Sequence, residues 1–503
     1  MPAEAPNFSA IREKLQDRFS KRACLWQLKV TDAFLQNDRD IICMAGTGMG
    51  KTLAFWSPLA LKNTGVLIVV TPLNQLGKQS VNFLEKAGIP SISISAETAS
   101  RANFRDIEDL HYRAIITSPE QLMKPGGEFE KLLQNVDFAS KLIGIIFDEA
   151  HCIVTWGDFR SEYKDLGRLR YILPCQVPFM IASATFTSDA LRDIRRLLHI
   201  RSEKLTTIHV STDRPNIKIG VHKIKHSLAS YADLAFLIPT GIKSHDPSPP
   251  KFLVFFDSIQ DGISATKYLQ ARLPPDLRDK VKWFNSNMTT EFKEDEVTNL
   301  VAGDTWGLCT TEAFGMGMDV PDVTLVIQWR ASCKLSALWQ RFGHAARDRA
   351  VEGTALLFAE KEYFDDVRED KRKRQERKKK ATDAPEDQPD TKRRIINSST
   401  AIGIAHPEGD NSAQATSSGS AANIPTVIVT DTQLKELMRP PAGTLERVSR
   451  QRRENELDRA MDLLINANYR GVGCRRKIFN IQFDNGSAGA TFLYYINNRN
   501  NIL

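Results

Sequence analysis

The sequence predicts an α/β protein with two parallel-sheet domains in tandem, followed by a basic linker and a small, mainly helical tail. Three observations carry this. Strand-sized apolar runs alternate with amphipathic stretches from about residue 40 to 200, a second such series runs from about 252 to 358, and from Asp365 the pattern gives way to charge and low-complexity sequence.

The first series comprises Ile41 to Met44, Val66 to Val70, Ala114 to Thr117, Ile143 to Phe147 and Phe179 to Ser183. Runs that are apolar throughout fit strands covered on both faces, as in a parallel sheet. The first run is followed by Ala45-Gly46-Thr47-Gly48-Met49-Gly50-Lys51-Thr52 and then by the helical pattern Leu53-Ala54-Phe55-Trp56. A glycine-rich turn between a strand and a helix is the setting of a phosphate-binding loop. Gly46, Gly48 and Gly50 let successive N–H groups turn inward, and the helix N-terminus adds partial positive charge. Lys51 is expected to reach the β- and γ-phosphates, and the Thr52 hydroxyl to ligate Mg²⁺. Ala45 stands where this loop pattern usually has its first glycine.

About a hundred residues on, the apolar run Leu142 to Phe147 delivers Asp148-Glu149-Ala150-His151 at its carboxyl end. Parallel sheets place ligands at that edge. Hydrolysis needs one carboxylate for the metal and another for the nucleophile, so Asp148 is expected to hold Mg²⁺ and Glu149 to polarise the attacking water. The loop and the acid pair together predict hydrolysis of a nucleoside triphosphate.

The second series falls near residues 252 to 256, 281 to 284, 306 to 310, 324 to 328 and 354 to 358, and contains no phosphate loop. It predicts a second α/β domain related in architecture but not in chemistry. The expected divisions are an N-terminal segment (1–20), a first domain (21–210), a second domain (225–365), a disordered basic linker (366–430) and a reduced helical tail (431–503). Within the linker, Lys371 to Lys380 and Lys392-Arg393-Arg394 form a two-part basic pattern, read as a nuclear localisation signal, as phosphate contacts, or as a solvated helix end.

A length of 503 residues with 42% hydrophobic content supports two or three cores, and a net charge of +7 permits a polyanionic partner without requiring one. The seven cysteines form no Cys-x-x-Cys pair and no ligand-spaced cluster with histidine, so neither a disulfide framework nor a zinc site is expected. The longest apolar runs are strand-sized and the N-terminus is polar, which predicts a soluble protein that is neither exported nor embedded in a membrane.

Directly after the acid pair the segment from Cys152 to Tyr163 carries Trp156, Phe159, Arg160 and Tyr163, and the second series contains Thr311-Glu312-Ala313-Phe314-Gly315-Met316-Gly317-Met318-Asp319-Val320-Pro321. With these, the sequence from about Gln27 to Asp348 resembles a superfamily 2 helicase core, and in detail the RecQ family of DNA helicases. The first segment is similar to that family's aromatic-rich loop, one residue shorter between Trp156 and Phe159, and the second is close to its fifth helicase motif. The resemblance implies two RecA-like domains. It implies single-stranded bases stacking on Trp156 and Phe159, with Arg160 making a phosphate or cation–π contact. It also implies an adenine-reading role for Gln27, whose amide both donates and accepts. Thr71-Pro72 and Thr117-Ser118 match strand-end segments that hold the nucleic-acid backbone. Ser183-Ala184-Thr185 resembles the motif that couples hydrolysis to domain movement.

The sixth motif, Gln340-Arg341-Phe342-Gly343-His344-Ala345-Ala346-Arg347-Asp348, departs from the family's Gln-x-x-Gly-Arg-Ala-Gly-Arg-Asp at His344 and Ala346. Arg347 is left as the arginine finger, a group worth about 10³–10⁵ in rate. In the tail, Cys474-Arg475-Arg476 resembles the start of the family's zinc-binding region with only one of its thiolates, so no zinc is expected there. The implied activity is that of an ATP-dependent DNA helicase using ATP and Mg²⁺, moving 3′→5′ on single-stranded DNA and acting at duplex or fork junctions in the nucleus. The implied catalytic set is Lys51, Asp148, Glu149, His151, Gln340 and Arg347. The alternatives are a nucleic-acid scaffold that has lost turnover and an RNA-directed DEAH-box helicase.

Overall fold

The computed structural model describes residues 7–157, 160–315, 320–382, 429–439 and 457–488. Its first sheet has seven parallel strands: β1 (Asp40–Met44), β2 (Val66–Val70), β3 (Ser91–Ile94), β4 (Ala114–Thr117), β5 (Leu142–Phe147), β6 (Phe179–Ser183) and β7 (Leu205–His209), in the order β3-β4-β2-β5-β6-β1-β7. Each central strand feeds both faces. Ile42, Ile68, Ile145 and Ile181 enter one buried cluster, while their neighbours Ile41, Leu67, Ile146 and Met180 enter the other. Two-sided burial is why these strands carry no polar alternation.

Helices α1 (Phe8–Phe19), α2 (Leu25–Gln36), α3 (Lys51–Leu61) and α4 (Asn74–Lys86) cover this sheet, as does α5 (Ser188–Leu197). Leu15 and Phe19 of α1 lie in the same cluster as Trp56 of α3, so the segment expected to stand apart as residues 1–20 joins the first domain's core from Phe8 onward.

The second sheet has six parallel strands: β8 (Ile217–Lys223), β9 (Phe252–Phe255), β10 (Val281–Phe284), β11 (Gly307–Thr310), β12 (Leu325–Trp329) and β13 (Gly353–Ala359), in the order β10-β11-β9-β12-β13-β8. Helices α6 (Ile259–Ala271), α7 (Thr290–Ala302) and α8 (Leu335–Phe342) accompany it. This sheet begins with β8, ahead of the expected boundary at residue 225. Three strands, β3, β7 and β8, were not expected from the sequence, and all three lie at sheet edges. An edge strand needs less apolar surface, and Leu-Thr-Thr-Ile-His and Ile-Lys-Ile-Gly-Val-His-Lys carry correspondingly weak signals.

Residues Asp365–Thr382, expected either in the unstructured linker or as a solvated helix end, form helix α9. Residues 383–428, which include Lys392-Arg393-Arg394, lie outside the described residues. The tail supplies α10 (Asp431–Met438), α11 (Arg459–Ile465) and α12 (Arg476–Gln482). Leu434, Met461, Leu464 and Phe479 pack into the same cluster as Trp339 and Phe342 of α8, with the Trp339 and Phe479 rings 4.5 Å apart. The tail is therefore built onto the second domain, and it also reaches the connection between the domains. Asn485 Oδ1 accepts from the Thr212 amide at 2.9 Å, and Arg476 donates to Asp213 Oδ1 at 2.6 Å and to the Arg214 carbonyl at 2.9 Å.

Candidate nucleotide and nucleic-acid site

All strands of each sheet run parallel, so their carboxyl ends share one edge. At that edge of the first sheet, β1 runs into the loop 45–50. Gly48 and Gly50 have φ of +75° and +82°, a region where a Cβ is strained, and Gly50 caps α3. Ala45 has no such φ; it is buried and its amide donates to the Ser183 carbonyl at 3.2 Å. The departure from glycine there is accommodated without strain.

Lys51 opens α3. Its Nζ lies 3.2 Å from the Ala45 carbonyl oxygen and 3.8 Å from Glu149 Oε1. The Gly46 amide faces Met49 Sδ at 3.2 Å. Gln27 is buried, accepts from the Cys24 amide at 2.8 Å and donates to the Gly50 carbonyl at 2.8 Å, which braces the loop against α2. Gln27, Gly50, Thr52 and Asp148 line a cavity of about 520 Å³, onto which Thr52 opens exposed.

Asp148 and Glu149 follow β5. Burial, reinforced by the neighbouring Glu149 and opposed by Lys51, pushes the Asp148 carboxyl well above the usual carboxylate range. Burial also acts to raise Glu149, but Lys51, His151 and Arg347 outweigh it and hold that carboxyl low. Of these two half-buried acids, Glu149 takes the stronger pull of Lys51, His151 and Arg347, and Asp148, with its raised carboxyl, is the one whose ionised form a divalent cation would stabilise. His151 Nδ1 stands 3.3 Å from Glu149 Oε2 and 2.9 Å from Ser183 Oγ, and the Thr185 amide donates to that same Oγ at 3.1 Å. The acid pair is thus wired to the Ser183-Ala184-Thr185 segment.

The second domain meets this site through the loop after α8. A Cβ placed on Gly343 would lie 3.5 Å from Thr47 Cβ, so this loop rests directly on the phosphate loop. Arg347 Nη2 lies 3.1 Å from His344 Nδ1, and its charge acts on Glu149. Lys51 and Arg347, from opposite domains, therefore address one carboxylate. Gln340 is buried in α8. Ala346 has φ +45°, the conformation for which the family pattern has glycine, and its carbonyl accepts from Arg214 Nη2 at 2.6 Å and Asn216 Nδ2 at 2.9 Å. Those two residues of the interdomain connection fix the loop.

A cleft of about 950 Å³ opens between the domains on the same edge, lined by Leu73, Gln79 and Trp156 on one side and Ser286, Glu294 and Ala313 on the other. Trp156 is half-buried in its wall. Phe159 lies outside the described residues, as do Met316 to Asp319. Arg160, expected to make a phosphate or cation–π contact, has its guanidinium 5.1 Å from the Trp156 ring centroid, while its Nε lies 2.8 Å from Glu120 Oε1 and its Nη1 donates to the Pro72 carbonyl at 3.3 Å. It brackets the aromatic loop to two strand ends. Thr71 and Thr117 are buried, and Thr117 donates to the Ile94 carbonyl at 3.4 Å, so their hydroxyls are not presented on an open surface. Ser118 caps a short helix by accepting from the Gln121 amide at 3.5 Å.

Sequence reasoning passed over Arg341. It is buried, reaches Asp257 Oδ1 at 2.7 Å and also binds Glu312 and Gln328, thereby joining the ends of three strands of the second sheet. Its place in the sixth motif gave no hint, because the acids it meets are distant in sequence.

Two family models match the chain: DEAD/DEAH box helicase over residues 25–194 and helicase conserved C-terminal domain over residues 234–349. The ATP-dependent DNA helicase Q1 of Rattus norvegicus is 29% identical over 330 residues, covering 64% of this chain and 50% of that protein. The ATP-dependent DNA helicase RecQ of Bacillus subtilis is 28% identical over 328 residues, covering 63% and 50%. The chain thus spans about half the length of these relatives. Among solved structures, the DEAD-box helicase Mss116 bound to ssRNA and UDP-BeF superposes with a TM-score of 0.57 at 20% identity, covering 72% of this chain and 77% of that one, a likeness of fold.

Proposed function

Since the chain belongs to the RecQ family of helicases, with their two RecA-like domains, we propose that it is an ATP-dependent DNA helicase that translocates on single-stranded DNA. One observation carries this reading above the rest. Lys51 of the first domain stands 3.8 Å from Glu149, and the second domain's loop that carries Arg347 rests on Thr47 of the phosphate loop, where a Cβ on Gly343 would lie 3.5 Å from Thr47 Cβ, so a nucleotide bound there would have both domains beside it. Bound MgATP would supply the phosphoanhydride bond whose cleavage drives the cycle. Lys51 and the loop amides would bind its phosphates, Thr52 and Asp148 would hold the cation, and Gln27 would stand at the base. Glu149, ionised and oriented by His151, would accept the proton of the attacking water.

Arg347 would stabilise charge as the domains close, and the link from Glu149 through His151 to Ser183 would pass the change to the cleft. The cleft with Trp156 in its wall suits a single strand. Movement 3′→5′, action at forks and a nuclear location follow from family kinship and belong to the proposal. The deciding experiment is an ATPase assay with single-stranded DNA, forked duplex and RNA. DNA stimulation abolished by Lys51→Ala supports the reading. A wild type no faster than that variant would leave a nucleic-acid-binding scaffold, which the neutral His344 in place of an arginine favours, and stronger stimulation by RNA would redirect the assignment to RNA.

A further inference from the structure

Helix α9 leaves the second domain at the sheet edge that carries the cleft. Strand β13 ends at Ala359, and the other strands of this parallel sheet end on the same side, β9, two strands away, running into Asp257 and β11, three strands away, into Thr311. The helix has 18 residues, about 27 Å at 1.5 Å per residue. Its acids are concentrated in its first turns, and the body of the protein engages them. Asp365 Oδ2 pairs with Arg470 Nε at 2.6 Å, its amide donates to Asn466 Oδ1 at 2.8 Å, and Asp366 pairs with Lys223 at 2.6 Å. Glu369 meets the Tyr469 hydroxyl and Lys373. From Lys371 to Lys380 eight of ten residues are basic and one is acidic, so an anchored base carries a strongly cationic shaft.

The shaft has no apolar residue between Arg368 and Lys380, and every residue from Asp370 to Lys379 is exposed. An interface with a folded protein requires an apolar centre, which this helix does not offer. Its cations are distributed around the whole circumference rather than on one face. That suits a dense polyanion, and a duplex with one charge per about 1.7 Å of axis matches it.

We propose that α9 is an arm that binds the phosphate backbone of duplex DNA beside the cleft, held in place by α11 and the residues that follow it. This rests on the reading of the protein as a DNA helicase and names a second contact for its substrate. Lys371, Arg374, Arg377 and Lys379 form no ion pair among the described residues, and replacing all four by alanine preserves helix propensity.

The test compares the salt dependence of binding for a forked duplex and for a single strand of about ten nucleotides, a length suited to the cleft alone. In the quadruple variant the fork's log K against log salt slope should fall by about two to four, about 0.9 for each phosphate no longer neutralised, while the short strand's is unchanged. A set of Lys↔Arg exchanges at the same positions should restore the fork slope, and an unchanged far-UV spectrum confirms the fold. Equal slopes for wild type and variant on the fork would overturn the arm. So would an equal fall on the short strand, or loss only of binding to polyglutamate, which would mark an acidic protein as partner. A wild type that binds neither DNA would overturn the helicase reading and the arm together.

Discussion

His344 orients Arg347. Its Nε2 lies 3.0 Å from the Gly315 carbonyl oxygen and its Nδ1 3.1 Å from Arg347 Nη2. A carbonyl only accepts and a guanidinium only donates, so the ring must carry its proton on Nε2 and present a lone pair at Nδ1. Burial and the adjacent Arg347 charge keep it neutral, far below its ordinary range. The histidine in the arginine's place thus acts as a bracket for the remaining finger.

His344→Leu should lower the kcat of ATP hydrolysis about tenfold or more with little change in KM, because a misaimed guanidinium costs transition-state stabilisation rather than ground-state binding. His344→Gln, whose amide can donate to Gly315 and accept from Arg347, should keep most of the rate. Steady-state kinetics on the two variants check this, and equal losses would remove the orienting role.

The same ring sets a pH limb. Its folded pKa lies well below the unfolded value of about 6.5, so the unfolded chain takes up a proton first as pH falls, and stability drops by up to about 1.4 kcal/mol per unit below pH 6.5 from this group. His151 has the opposite sign. Burial opposes its charge, but Cys152 and Glu149 raise it, and the carboxylate is the lasting influence because burial keeps the Cys152 thiol protonated. Its contribution is complete below about pH 6.5 and fades above that. Denaturant melts from pH 5 to 8 should show a flatter acid limb in His344→Gln and a flatter alkaline limb in His151→Asn.

Trp156→Ala should reduce stimulation of ATP hydrolysis by single-stranded DNA at least about fivefold while basal hydrolysis changes less than twofold, in keeping with about 1–3 kcal/mol per stacked base. An equal fall in both rates would make Trp156 a packing residue of the cleft wall.

Asp40 is the first domain's most consequential buried charge. It is fully buried, pairs with Arg170 at 2.6 Å and Arg201 at 2.9 Å, and accepts from the Phe179 amide at 2.9 Å. Asp40→Ala leaves two guanidinium groups without their anion and should cost about 3–5 kcal/mol in a denaturant titration. Burial alone would raise the Asp40 carboxyl, but Arg201 and the backbone donors hold it low, so this stability is lost only as pH falls through that depressed value.

What the sequence revealed and what it hid divide along physical lines. Strands β1, β2, β5 and β6 announced themselves because two-sided burial demands unbroken apolar runs, and the phosphate loop did so because its chemistry is local. Strand β8 was hidden because one neighbour suffices to hold it and its solvent face is polar. For Arg160 the resemblance left a phosphate or a cation–π contact open, and its partners Glu120 and Pro72, 40 and 88 residues away in the chain, lay beyond the reach of spacing arguments. Ala346 read as a simple loss of glycine, and only its φ of +45° shows that the backbone kept the glycine's shape.

The grip of Asn485 and Arg476 on Thr212, Asp213 and Arg214 places α12 and the residues just after it at the pivot between the two domains. A Cβ on Gly46 would stand 3.4 Å from Thr212 Cα, so the pivot also touches the phosphate loop. A protease cut anywhere from residue 383 to 428 would sever the backbone yet spare that grip, and the two fragments should travel through a sizing column as one particle.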